Sequence, residues 1–109
     1  MPYEIKRIED FEYFTKTKNL VVIHFWADWN ATDFIAKNIL SDLELEFDKE
    51  IIFCSIDVDK DVLWELLNSL EIKNVPTFAY FKDGNKVGIE IGLKAKEEFT
   101  NTINYYFLS

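Results

Sequence analysis

The sequence predicts an α/β domain in which a central mixed sheet carries helices on both faces. Three observations lead there. Leu20–Trp26, L-V-V-I-H-F-W, is an unbroken apolar and aromatic run, the character of a strand covered on both sides. Segments with helical spacing alternate with β-rich segments along the chain. Asp83-Gly84-Asn85 separates two β-rich runs, and Asp-Gly signals a hairpin because glycine tolerates positive φ.

Each element follows in order. Tyr3–Ile8 is expected to form a short first strand. Asp10–Lys16 carries Phe11 and Phe14 at helical spacing, so a short helix follows. After the Leu20–Trp26 strand, Asp33–Phe47 places Phe34, Ile35, Ile39, Leu40, Leu43 and Phe47 at amphipathic spacing. Ile51–Ile56 reads as another buried strand. Val62–Leu70 reads as a helix with Leu63, Leu66, Leu67 and Leu70 inward. Thr77–Lys82 and Lys86–Ile91 form the hairpin strands. Glu97–Phe107 closes the chain as a helix with Phe99, Ile103, Tyr106 and Phe107 as its apolar stripe. The predicted order is β-α-β-α-β-α-β-β-α, with the final hairpin as an antiparallel edge.

The 109 residues suit one domain, residues 1–109, and 49% of them are hydrophobic and 17% aromatic, ample for a core. That composition argues against disorder. No apolar run approaches the roughly 20 residues of a membrane span, and M-P-Y-E-I-K-R-I-E-D shows no apolar core of a secretory signal. The net charge of −8 argues against nucleic acid, which demands clustered Lys and Arg. It keeps a small domain soluble and permits a basic partner. One cysteine, Cys54, and one histidine, His24, exclude an intramolecular disulfide and a Cys/His zinc site within the chain. A reducing, cytoplasmic setting is the expectation. No cofactor, nucleic acid or membrane is expected, and the chain is expected to be a monomer or weak dimer.

Five motifs, in order, cover nearly the whole chain. They are F-W-A-D-W at Phe25–Trp29, I-D-V-D at Ile56–Asp59, V-P-T at Val75–Thr77, F-K-D-G-N-K-V at Phe81–Val87, and Gly92 after the last strand. Together they resemble the thioredoxin superfamily. H-F-W-A also resembles the thioredoxin domains of multidomain monothiol glutaredoxins. The resemblance implies a thioredoxin fold with a cis-proline turn at Val75-Pro76. It implies that Asp59 accepts from the Trp29 indole. It further implies a shallow peptide groove made by Trp29, Val75, Pro76, Thr77 and Gly92, with His24, Asp59 and Trp64 at its rim or beneath it.

The departures from the family pattern bear on chemistry. The two active-site cysteine positions hold Asn30 and Asp33. The family's buried acid is His24 here, and the neighbouring Lys found in many members is Ser55. In the family, the first cysteine is a thiolate held at a helix N-terminus and the second resolves the mixed disulfide. Asn30 cannot attack sulfur and Asp33 cannot resolve. Asn30-x-x-Asp33 instead suits a capping-box-like helix start, with Asp33 alternatively meeting a partner's cation. His24 is expected to be neutral and hydrogen-bonded beneath the helix start, where burial and a nearby carboxylate such as Asp33 would shift its pKa, with a pH sensor as the alternative. Cys54 is expected to be packed and inert. Asp57, Asp59 and Asp61 lack the glycine turn and distal Glu of a calcium loop. The leading expectation is therefore a redox-inactive protein-binding module taking an extended peptide or protein. The alternatives are an accessory domain of monothiol glutaredoxin and iron–sulfur homeostasis, and an atypical oxidoreductase using Cys54.

Overall fold

The computed structural model describes residues 2–108. Five strands form one mixed sheet: β1 (Tyr3–Glu4), β2 (Leu20–Trp26), β3 (Ile52–Asp57), β4 (Thr77–Lys82) and β5 (Asn85–Ile91). Four α-helices accompany them: α1 (Ile8–Thr17), α2 (Ala31–Phe47), α3 (Trp64–Ser69) and α4 (Lys96–Phe107). The order across the sheet is β1-β3-β2-β4-β5. β1 and β2 run parallel to β3, and β4 runs antiparallel to both β2 and β5.

Alternation along β2 divides the core. Val21, Ile23 and Phe25 face Ile56, Ala79 and Phe81, with Leu63, Leu66 and Leu67 packed on that side. Val22 joins Phe53, Phe78 and Tyr80 under Leu40 and Leu43 of α2 and Phe99 and Ile103 of α4. His24 is two residues from Val22 and shares its face by strand periodicity. That placement lets a side chain of α2 reach it.

β2 and β4 span the residues the sequence predicts. The first strand is shorter than expected. It pairs only at Tyr3 and Glu4, and Ile8 already begins α1. Glu9 and Asp10 in that first turn complement the helix dipole, and Arg7 pairs with Asp10 at 3.3 Å. The predicted Val62–Leu70 helix is a 3-10 turn at Asp61–Leu63 followed by α3. In α2, Phe34 and Ile35 are 57% and 52% exposed, contrary to the amphipathic reading. Leu40 and Leu43 are buried and Ile39 and Phe47 pack against the core as expected, and Asp33 and Ala36 complete the buried stripe. The hairpin turn is the two residues Asp83 and Gly84, both with positive φ (51° and 88°), and Asn85 already pairs with Lys82.

Candidate functional site

Three segments converge where β2 runs into α2. The helix begins with Asn30 as its N-cap: Asn30 Oδ1 accepts from the Thr32 N–H at 3.0 Å and from the Thr32 hydroxyl at 2.6 Å. This satisfies one of the donors that a helix start leaves unpaired. The other end of the same amide crosses the site. Asn30 Nδ2 donates to the Val75 carbonyl at 3.0 Å, tying α2 to the loop before β4. The Val75–Pro76 peptide is cis.

Asp33 corrects the sequence reading twice. It does not reach back to the cap residue, and it is not at the surface to meet a partner's cation. It is 1% exposed. Its Oδ1 lies 2.8 Å from His24 Nε2, and its Oδ2 accepts from the Ala27 N–H at 3.2 Å. The helical stripe explains this: spacings of three and four residues put Asp33 in line with Ala36, Leu40 and Leu43. Asp33 thus points at the sheet. His24 is also 1% exposed and stacks on Phe78, ring centroids 4.9 Å apart. Burial lowers its pKa, against the raising effect of the Asp33 hydrogen bond and charge, and Lys37 adds a further lowering. The lowered pKa favours the neutral imidazole; in that form its Nε2–H donates to Asp33, and Nδ1 has no partner among the described residues.

Cys54 takes no part in this arrangement. It is 0% exposed, and burial pushes its thiol up to about 12. Such a group supplies no thiolate near neutral pH. Among the described residues, no cluster of three or more His, Cys, Asp or Glu side chains could hold a metal. No helix there is long and apolar enough to cross a membrane.

The surface beside the helix start is different in character. Trp29 is 70% exposed, and its indole N–H donates to Asp59 at 3.1 Å. That bond fixes the ring and leaves its face to solvent. A groove of ≈ 460 Å³ adjoins it, with Trp29, Val58, Leu67, Ile72 and Val75 as its apolar lining and Lys73 and Asn74 as its polar lining. Pro76 and Thr77 are buried beside it, and the Thr77 hydroxyl donates to the Asn74 carbonyl at 2.6 Å. Gly92 does not line this groove: its N–H donates to the Pro76 carbonyl at 2.8 Å, and its φ of 98° favours glycine. Trp64 is exposed and also outside the lining. The geometry therefore brings together Trp29, Asn30, Asp59 and Val75, and turns the groove toward α3.

Sequence reasoning did not find Lys73 or the bridge from Asn30 to Val75; it named Asp33 as a carboxylate near His24 but not the bond between them. A lone histidine inside an apolar strand demands a buried partner. An acid on the apolar stripe of the next helix was the signal that could have supplied it.

Comparisons with known proteins agree with this geometry. The Thioredoxin family model matches residues 4–105. A thioredoxin of Chlamydia pneumoniae is 33% identical over 96 residues, covering 88% of this chain and 90% of that protein. Mouse glutaredoxin-3 is 33% identical over 82 residues, 75% of this chain but 23% of that protein. Oxidised mitochondrial thioredoxin 3 of Saccharomyces cerevisiae superposes with a TM-score of 0.85 at 23% identity, covering 95% of this chain and 94% of that one. The chain belongs to the thioredoxin family.

Proposed function

We propose that this protein is a redox-inactive member of its family that binds an extended peptide or partner protein in the groove beside Trp29. The observation that carries the reading is the state of positions 30 and 33. Both side chains are fully engaged in holding the helix start, Asn30 to Thr32 and Val75, Asp33 to His24 and Ala27. Neither offers a nucleophile. Disulfide exchange needs an attacking thiolate and a resolving thiol, and the single cysteine is buried with a raised pKa. The exposed indole and the apolar groove beside it remain. Extended peptides bind such surfaces through main-chain pairing plus side-chain pockets.

An insulin-turbidity assay with dithiothreitol tests the redox half: the protein should match the no-protein control. Turnover above the control that Cys54→Ser abolishes would overturn the reading. The binding half is tested by partner capture with the wild-type protein and with Trp29→Ala. Partners retained equally by both would place the function elsewhere. A second reading, an accessory role beside a monothiol glutaredoxin, draws support from the likeness to mouse glutaredoxin-3. Comigration with a monothiol glutaredoxin domain in size-exclusion chromatography checks it.

A further inference from the structure

The groove beside Trp29 has a chemical bias that the chain as a whole does not share. The sequence carries 20 acidic residues against 12 Lys and Arg. Yet the one charged residue lining the groove is a cation, Lys73. Its side chain is exposed and makes no ion pair or hydrogen bond among the described residues.

The backbone beside Lys73 is biased the same way. The N–H groups of Lys73, Asn74 and Val75 have no protein partner among the described residues. The acceptors of that stretch are partly spent. The Val75 carbonyl takes the Asn30 amide at 3.0 Å, and the Asn74 carbonyl takes the Thr77 hydroxyl at 2.6 Å. The loop therefore presents donors and positive charge. Next to it lies apolar surface from Trp29, Leu67 and Ile72. A ligand that fits must bring acceptors and negative charge beside an apolar side chain.

We propose that the occupant is an extended peptide segment whose bulky apolar side chain enters the groove and whose adjoining carboxylate meets Lys73. Its main-chain carbonyl pairs with the free Val75 N–H. This deepens the peptide-binding reading above and rests on it. It also reverses the partner charge that net composition suggests. The overall field of −8 draws cations to the surface at long range. Within the groove, Lys73 would oppose a cation and favour an acid.

The test is an amide-shift titration of nitrogen-15-labelled protein with acetyl-Ser-Gly-Phe-Asp-Gly-Ser-amide. Two variants of the peptide replace its Asp by Lys or its Phe by Ala. The Phe-Asp peptide should shift the amides of Lys73, Asn74 and Val75 and the Trp29 indole N–H. The Lys and Ala peptides should bind about threefold more weakly or worse, in keeping with one exposed charge pair or one lost apolar anchor. Lys73→Glu should invert the preference between the Asp and Lys peptides. Equal binding of the Asp and Lys peptides to both proteins would overturn the carboxylate contact while leaving the groove a peptide site. No shift at these positions with any of the peptides would overturn the proposed occupant. The wider binding reading then stands or falls on the Trp29→Ala capture.

Discussion

Asp33 holds two buried donors, the imidazole of His24 at 2.8 Å and the backbone N–H of Ala27 at 3.2 Å. Removing a buried acceptor strands its donors, at about 1–3 kcal/mol for each group left unpaired. Asp33→Ala should therefore lower unfolding stability by about 2–6 kcal/mol. Denaturant unfolding checks this, and a loss below about 0.5 kcal/mol would mean water replaces the carboxyl. His24 gives the site a pH dependence of fixed sign. Burial lowers its folded pKa from the ordinary value of 6.5, with Asp33 opposing and Lys37 adding to the shift. The unfolded state then binds more protons between the two pKa values. This contribution is fully present above about pH 6.5 and is lost as pH falls through the lowered folded value. His24→Gln, which keeps a donor for Asp33 and cannot titrate, should flatten stability against pH below about 6.5, by up to about 1.4 kcal/mol per pH unit. An unchanged slope would show that His24 titrates alike in both states.

At the scale of elements, legibility followed the number of packed faces. β2 and β4 lie inside the sheet, so continuous apolar runs marked them to the residue. β1 is a two-residue edge with little ladder to define it, and the apolar Ile5 and Ile8 around it read as strand when Ile8 already belongs to a helix. In α2 the spacing signal was real: Leu40 and Leu43 are buried and Ile39 and Phe47 pack against the core, and only Phe34 and Ile35 were misplaced. Phe34 and Ile35 are large and apolar and still face out, because the stripe that meets the sheet starts with Asp33 and the small Ala36. An acid in a first turn ordinarily reads as a solvated cap, and its partner His24 lies on a different element. The element order placed Asp33 near His24, but pattern within one helix could not show the bond that joins them. The packing of α4 on β5 was likewise invisible. A Cβ at Gly88 would come within 2.5 Å of ring atoms of Tyr106, which is itself held against Tyr80 at a centroid distance of 5.0 Å. Gly88→Ala should displace that ring and cost about 1–3 kcal/mol of stability, the usual penalty of overpacking. Thermal unfolding reads it, and a wild-type midpoint would show that Tyr106 swings free at no cost.

Over the whole molecule, the family frame is kept while its two cysteine positions hold Asn30 and Asp33. The five-stranded order, the two helix-covered faces and the Trp29–Asp59 bond are in place. Motifs spread from Phe25 to Gly92 made that frame readable, since each marks a turn or a packing position the fold requires. The site was readable only in part. Substituted positions say which side chains are absent, and only three-dimensional placement says what holds the gap closed. Here it is closed by Asn30 bridging to Val75 and by Asp33 bridging to His24. This arrangement sets the outcome of restoring thiols. In Asn30→Cys with Asp33→Cys, the first thiol would sit at the N-terminus of α2, where backbone N–H groups favour a thiolate. The second would occupy the buried place of Asp33, withdrawing the acceptor from His24 and from the Ala27 N–H. His24 is neutral there and supplies no carboxylate to accept a proton from the second thiol. The double variant should fold less stably and reduce insulin at most weakly above the dithiothreitol control. Near-family turnover in that assay would show that the frame alone suffices for exchange and that the His24 position carries no weight in it.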